Sequence, residues 1–83
     1  MRHYFFDFVS SLESLSDYEG RWFAGLRNAR EHAKLLAIQC NQKGPSHPWS
    51  IVVRDPWGRT LHMEAAEDLA EIRHNGCEER LFV

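Results

Sequence analysis

The residue types able to do chemistry are scattered along this chain, and their spacing limits what they can do. Five histidines (His3, His32, His47, His62, His74) and two cysteines (Cys40, Cys77) are available as metal ligands. None stands at a paired-ligand spacing such as C-x-x-C. His3 and His62 can share a sheet face with Asp7 and Glu64, which leaves a site geometrically open. Scattered surface histidines are the simpler reading, and no metal or cofactor is expected. Nucleophiles fare no better. Cys40 falls on an apolar helical stripe and reads as a small core residue. Ser10, Ser11 and Ser16 lie in a loop with no base nearby in sequence. Asp17-x-Glu19-Gly20 has an acid pair and a glycine, but no basic or histidine partner converges on it. Its simpler work is local: Asp17 bonds nearby backbone amides and Gly20 takes a conformation other residues resist. An enzyme is not expected.

Binding chemistry is more promising. Arg21, Arg27, Arg30 and Lys34 form a modest basic cluster around a helix start, which a solvated helix surface also explains. Phe5, Trp22 and Val52 can form an apolar platform on an open sheet face. RNA-binding modules place aromatics on such a face with basic groups beside them. Acidic groups nearby, and a formal net charge of −2 with pI about 6.2, argue against a nucleic-acid partner here. Exposed apolar patches of this sort usually mark a protein interface. Trp57, at a turn tip, is a further contact candidate. The interface residues expected from sequence are therefore Phe5, Trp22, Val52 and Trp57, and a homodimer through the uncovered sheet face or an edge strand is expected.

Eighty-three residues make one domain, with a thin core that buries only about 60–65% of the unfolded surface. Ten aromatics (five Phe, three Trp, two Tyr) can supply much of that burial. Two distant cysteines fit free thiols in a reducing cytoplasm better than a disulfide. The apolar start is broken by Asp7 and is too short and polar for a signal peptide. No apolar run reaches the roughly 18–20 residues of a membrane span. A soluble cytoplasmic protein is the expectation.

The elements that must position these residues can be read from periodicity. HYFFDFV suits a strand with Tyr4, Phe6 and Phe8 inward and His3, Phe5, Asp7 and Val9 opposite. SSLESLSDYEG reads as a loop, and RWF as a short second strand with Phe23 inward and Trp22 outward. From Leu26, small and apolar residues recur at Ala29, Ala33, Leu36, Ala37 and Cys40, which predicts an amphipathic helix. Gly25 is its N-cap without a side-chain oxygen, and Lys43-Gly44-Pro45 is its stop. WSIVVRDPWGRTLHME predicts a hairpin around a type I turn at Asp55–Gly58. Its expected register pairs Val53 with Leu61, Ile51 with Met63 and Trp49 with Ala65 on one face. Val52, Arg54, Thr60, His62 and Glu64 take the other. Residues 66–83 form an extension, with a short helix over 66–74 and an apolar end at Leu81, Phe82 and Val83 that docks on the body or on another chain. The sum is an α+β fold of order β-β-α-β-β. Its four-stranded antiparallel sheet has the second strand beside the first, then the third and fourth, with the helix on one face.

Tyr4-Phe5-Phe6, Asp17-x-Glu19-Gly20, Leu26, Ala29-x-x-x-Ala33 and Trp49-Ser50-Ile51-x-Val53-x-Asp55-x-x-Gly58-Arg59 together resemble a family of short bacterial proteins catalogued as a domain of unknown function. The resemblance covers roughly residues 2–64 and brings no catalytic residues with it. More distantly, the strand-strand-helix opening is similar to HicB-type antitoxins, small α/β domains that oligomerise and mask a toxin. That likeness implies an antitoxin-like or nucleic-acid-linked regulatory role as the alternative to a self-associating interaction module. The separate DNA-binding segment usual in such antitoxins is not visible here.

Overall fold

Alternating aromatics build the first strand of this computed structural model, which describes residues 1–65. Strand β1 (Arg2–Val9) turns Tyr4 and Phe6 into the core and presents His3 and Phe5 on the opposite face. It is followed by β2 (Ser14–Leu15), β3 (Arg21–Phe23), helix α1 (Leu26–Cys40), β4 (Ser50–Arg54) and β5 (Thr60–Glu64). All pairings are antiparallel, in the order β2-β1-β4-β5, with β3 also on β1. The strand arrangement expected from sequence is therefore present, with one addition. The loop after β1 contains β2, which pairs Leu15 with Phe8 and Ser14 with Val9.

Helix α1 lies on one face of the sheet. Ala29, Ala33 and Ala37 are fully enclosed against Tyr4, Phe6, Ile51 and Val53, with Phe8, Phe23, Leu26, Leu36 and Cys40 packed around them. Alanines at intervals of four form a flat strip that lets the helix approach closely, so the sheet aromatics supply most of the core volume. The helix starts at Gly25 with no side-chain cap. It stops earlier than Lys43-Gly44-Pro45 implies, at Cys40, because Asn41 ends it. The Asn41 side chain donates to Ala37 O (2.9 Å) and Trp49 O (2.9 Å) and accepts from Trp49 N–H (2.8 Å). One buried amide thus closes the helix and fixes where β4 begins. Gly44 does take a left-handed φ of 65°, inside the loop that follows.

The β4–β5 turn forms as its residues dictate. Gly58 N–H donates to Asp55 O (3.0 Å), Gly58 has φ 87°, and the Asp55 carboxylate accepts from Trp57 N–H and Arg59 N–H. The register beyond it differs from the expected one. A bulge sets Arg54 opposite Thr60 but Val53 opposite His62, so Val52 faces Met63 and Ile51 faces Glu64. One extra residue in β5 turns the rest of that strand over. His62 and Glu64, expected outward, lie on the helix side, half-buried and hydrogen-bonded at 3.0 Å. Met63 goes to the open face instead. The helix expected over 66–74, the apolar end and Cys77 lie outside the described residues.

Two left-handed glycines separate conformation from crowding. A Cβ on Gly20 (φ 71°) would sit 2.5 Å from His3 Nε2 and 2.7 Å from Tyr4 O, whereas one on Gly44 meets nothing within 4 Å. Gly44→Ala is expected to cost about 1 kcal/mol from backbone strain alone. Gly20→Ala adds steric overlap and should cost about 3 kcal/mol. Urea unfolding of both variants measures the difference; equal losses would show that the turn gives way freely at Gly20.

Candidate functional site

The face of the sheet away from α1 carries a continuous row of rings and charges. Trp22 on β3 pairs with His3 on β1, and their rings stack at 4.5 Å and 7°. His3 in turn contacts Phe5 (4.6 Å), and the Arg54 guanidinium lies 5.1 Å over the Phe5 ring. Arg54 then grips Asp7 through two bonds, Nε to Oδ2 (2.5 Å) and Nη2 to Oδ1 (3.1 Å). Cross-strand neighbours alternate along β1 and β4, which is why a row of this kind can form. Val52 stands opposite Asp7, and Met63 opposite Val52. Trp22 is 60% exposed and Met63 54%, large values for apolar side chains.

Asp17 anchors the row from the sheet edge. Its Oδ2 accepts from Phe6 N–H (3.1 Å), and its Oδ1 accepts from Glu19 N–H (3.0 Å) and Gly20 N–H (3.1 Å). Its own N–H donates to Asp7 Oδ1 (2.9 Å), and its carbonyl accepts from Arg54 Nη2 (3.1 Å). The turn it forms also holds His3, whose Nε2–H donates to Glu19 O (2.8 Å). Burial raises the Asp7 pKa, but the Arg54 hydrogen bonds, the Asp17 amide and the Arg54 charge outweigh it, so the carboxyl sits below its usual range. Burial likewise opposes ionisation of Asp17, and the amides of Phe6, Gly20 and Glu19 overcome it. The same contacts with Asp7 raise the Arg54 pKa.

Of the interface residues expected from sequence, Trp22 and Phe5 are brought together, with His3 between them. Val52 is on the same face, one pair further along. Trp57 is 80% exposed at the hairpin tip, its ring 5.9 Å from the Arg59 guanidinium, and it stands apart from the row. The grouping of His3, His62, Asp7 and Glu64 does not form, because the β5 bulge puts His62 and Glu64 on the other face. Among the described residues, no group of three or more His, Cys, Asp or Glu side chains gathers as a metal site. Cys40 is half-buried on α1, where burial raises its pKa, so it stays a protonated thiol. Ser11 Oγ lies 3.1 Å from His47 Nδ1, a contact that sequence spacing gave no hint of. Both groups are exposed, and among the described residues no carboxylate orients the imidazole as the third group of a nucleophilic site. His32 packs edge-on to Phe6 (5.0 Å) and against Phe23 (5.2 Å), with its Nε2 enclosed and unpartnered. Burial, and then the Arg21 charge, lower its pKa, so it serves as a neutral aromatic piece of the core.

Residues 3–66 match the family described as domain of unknown function DUF6894. The chain belongs to this family. The DUF6894 match takes in both strands of the aromatic row, the Asp17 turn and the whole hairpin. No curated protein and no solved structure matches the chain. Among the described residues, no helix of the DUF6894 domain is long and apolar enough to cross a membrane.

The depressed carboxylates fix the sign of the acid response. Both folded pKa values lie below the unfolded value of about 3.9. Their contribution is therefore complete above that value and is lost as pH falls through the folded pKa values. Urea titrations between pH 7 and pH 2 should show this acid limb. Asp17→Asn should remove about 2 kcal/mol at neutral pH, because amides lose their charged acceptor. The same variant should also flatten the limb; an acid response identical to that of the native chain would exclude Asp17 as a contributor.

Proposed function

We propose that this domain is a non-enzymatic interaction module that self-associates through the open face of its sheet. The supporting observation is the row of Trp22, His3 and Phe5, continued by Val52 and Met63, on the side that α1 leaves uncovered, in which Trp22 and Met63 are exposed and the others half-buried. Aromatic side chains of this type are the usual energetic anchors of interfaces. They are held in place: Trp22 leans on His3, His3 is tied to Glu19, and Phe5 is capped by Arg54. A rigid apolar row loses little conformational freedom on docking.

A second copy suits this face better than a charged partner. Its two central charges, Arg54 and Asp7, already neutralise each other. A two-fold axis through the face would bring apolar groups together without opposing like charges. The free thiol of Cys40 and this mode of action fit a place in the cytoplasm.

Sedimentation equilibrium tests the reading directly. The native chain should dimerise with concentration. Trp22→Ala combined with Phe5→Ala should raise the dissociation constant at least about thirty-fold, with the monomer still folded by circular dichroism. A native chain that stays strictly monomeric at millimolar concentration discards self-association.

A further inference from the structure

The register of β1 leaves a notch at one end of the sheet. The last β1–β4 pair is Phe5 with Arg54, while β1 begins at Arg2 and is backed there by β3. Among the described residues, its first residues therefore run beyond β4 with no strand on that side, and the Asp55–Gly58 turn stands across the gap. The result is a cleft of about 490 Å³, within the range usual for small-molecule sites. Trp22 and Trp57 form its walls, Tyr4, Leu26 and Leu61 line it, and Arg2 is at its rim.

Among the polar groups of the cleft, the Tyr4 hydroxyl and the Arg2 side chain have no protein partner among the described residues. Tyr4 is only 3% exposed, yet among the described residues its hydroxyl bonds to no protein group. Among the described residues, the one fully enclosed side-chain polar atom without a partner is His32 Nε2, so the Tyr4 hydroxyl is not sealed in. Tyr4 is one of the residues that line the cleft. A buried phenol normally finds a hydrogen-bond partner, and here the cleft is where one can come from. Arg2, unlike Arg54 and Arg59, makes no ion pair among the described residues. Arg59 is held on Asp55 with its guanidinium near the Trp57 ring. The Asp55 carboxylate is committed to that bond and to two backbone amides.

We infer that the notch between β1 and the β4–β5 turn binds a planar aromatic ring carrying an anionic group: a nucleotide, free or within a single strand. The ring stacks on Trp57 or on the outer face of Trp22, whose inner face His3 occupies. Tyr4 hydrogen-bonds a ring or sugar acceptor, and Arg2 meets the phosphate. Stacking on aromatic side chains tolerates any base because every base has a π-face. The cationic rim disfavours a positively charged ligand in the same aromatic setting.

Adenosine monophosphate, titrated at low protein concentration and followed by the indole N–H resonances, is the probe. Saturable shifts at both Trp22 and Trp57 are expected, with adenosine and inorganic phosphate each binding at least about tenfold more weakly. Tyr4→Phe should weaken binding roughly five-fold without changing the melting temperature. Trp57→Ala should weaken it at least about five-fold, and Arg2→Gln should abolish the preference over adenosine. A short oligodeoxyadenylate separates the sources: tighter binding per nucleotide identifies a strand, weaker binding a free nucleotide. No saturation with either probe overturns the inference, as does affinity unchanged in both Tyr4→Phe and Trp57→Ala. Affinity that falls as protein concentration rises also overturns it, by showing a second copy in the notch. Trp22 and His3 belong both to the notch and to the row assigned to self-association, so the two proposals are separated by Tyr4→Phe, Trp57→Ala and Arg2→Gln, which leave that row intact.

Discussion

Along its outer edge β1 changes partner partway, from β3 to β2, and the Asp17 carboxylate spans the change. Between those two short pairings the Phe6 N–H would have no strand to bond, and Asp17 Oδ2 takes that place. Unpaired buried amides are costly, so a side chain that substitutes for a strand lets a chain of this length keep its central β1 intact. The other Asp17 oxygen shapes the turn that returns the chain to β3. Its backbone meets Asp7 and Arg54, which lie on β1 and β4. A single residue thus joins the edge turn to the sheet centre.

That junction also determines what the open face can do. Trp22 is displayed because β3 pairs with the start of β1, and β3 gets there through the Asp17 turn. His3 is oriented by Glu19 in the same turn, and Phe5 by Arg54. The aromatic row and the polar cluster are therefore two sides of one construction. Loss of the cluster would be felt on the face even though none of its carboxylates belongs to the apolar surface.

Much of this was legible in the sequence. The alternation in HYFFDFV, the three- and four-residue spacing of small residues after Leu26, and the Asp-Pro-Trp-Gly turn each specify a local structure with one dominant solution. The sheet order followed from them, and so did the outward position of Trp22. What escaped was non-local. Nothing in the spacing of Asp7, Asp17 and Arg54 announces a contact 47 residues apart in sequence. The β5 register departs from its apolar patterning, which favours Leu61 and Met63 inward, because the bulge after Thr60 places His62 and Glu64 there. A one-residue irregularity overturns a period-two argument completely. The overhang of β1 past β4, which makes the end notch, depends on register and so was equally out of reach.

The alanine strip on α1 gives the two layers opposite tolerances to change. Where Ala29, Ala33 and Ala37 meet the sheet, even one added methylene has nowhere to go except by lifting the helix. On the sheet side, the large rings of Tyr4 and Phe6 can be trimmed only by opening a void. Sequence drift in such a domain is thus confined in contrary directions on its two halves: upward in volume is closed to the helix, downward to the strands. Compensation requires paired exchanges across the layer boundary, a larger helix residue arriving with a smaller strand residue opposite it.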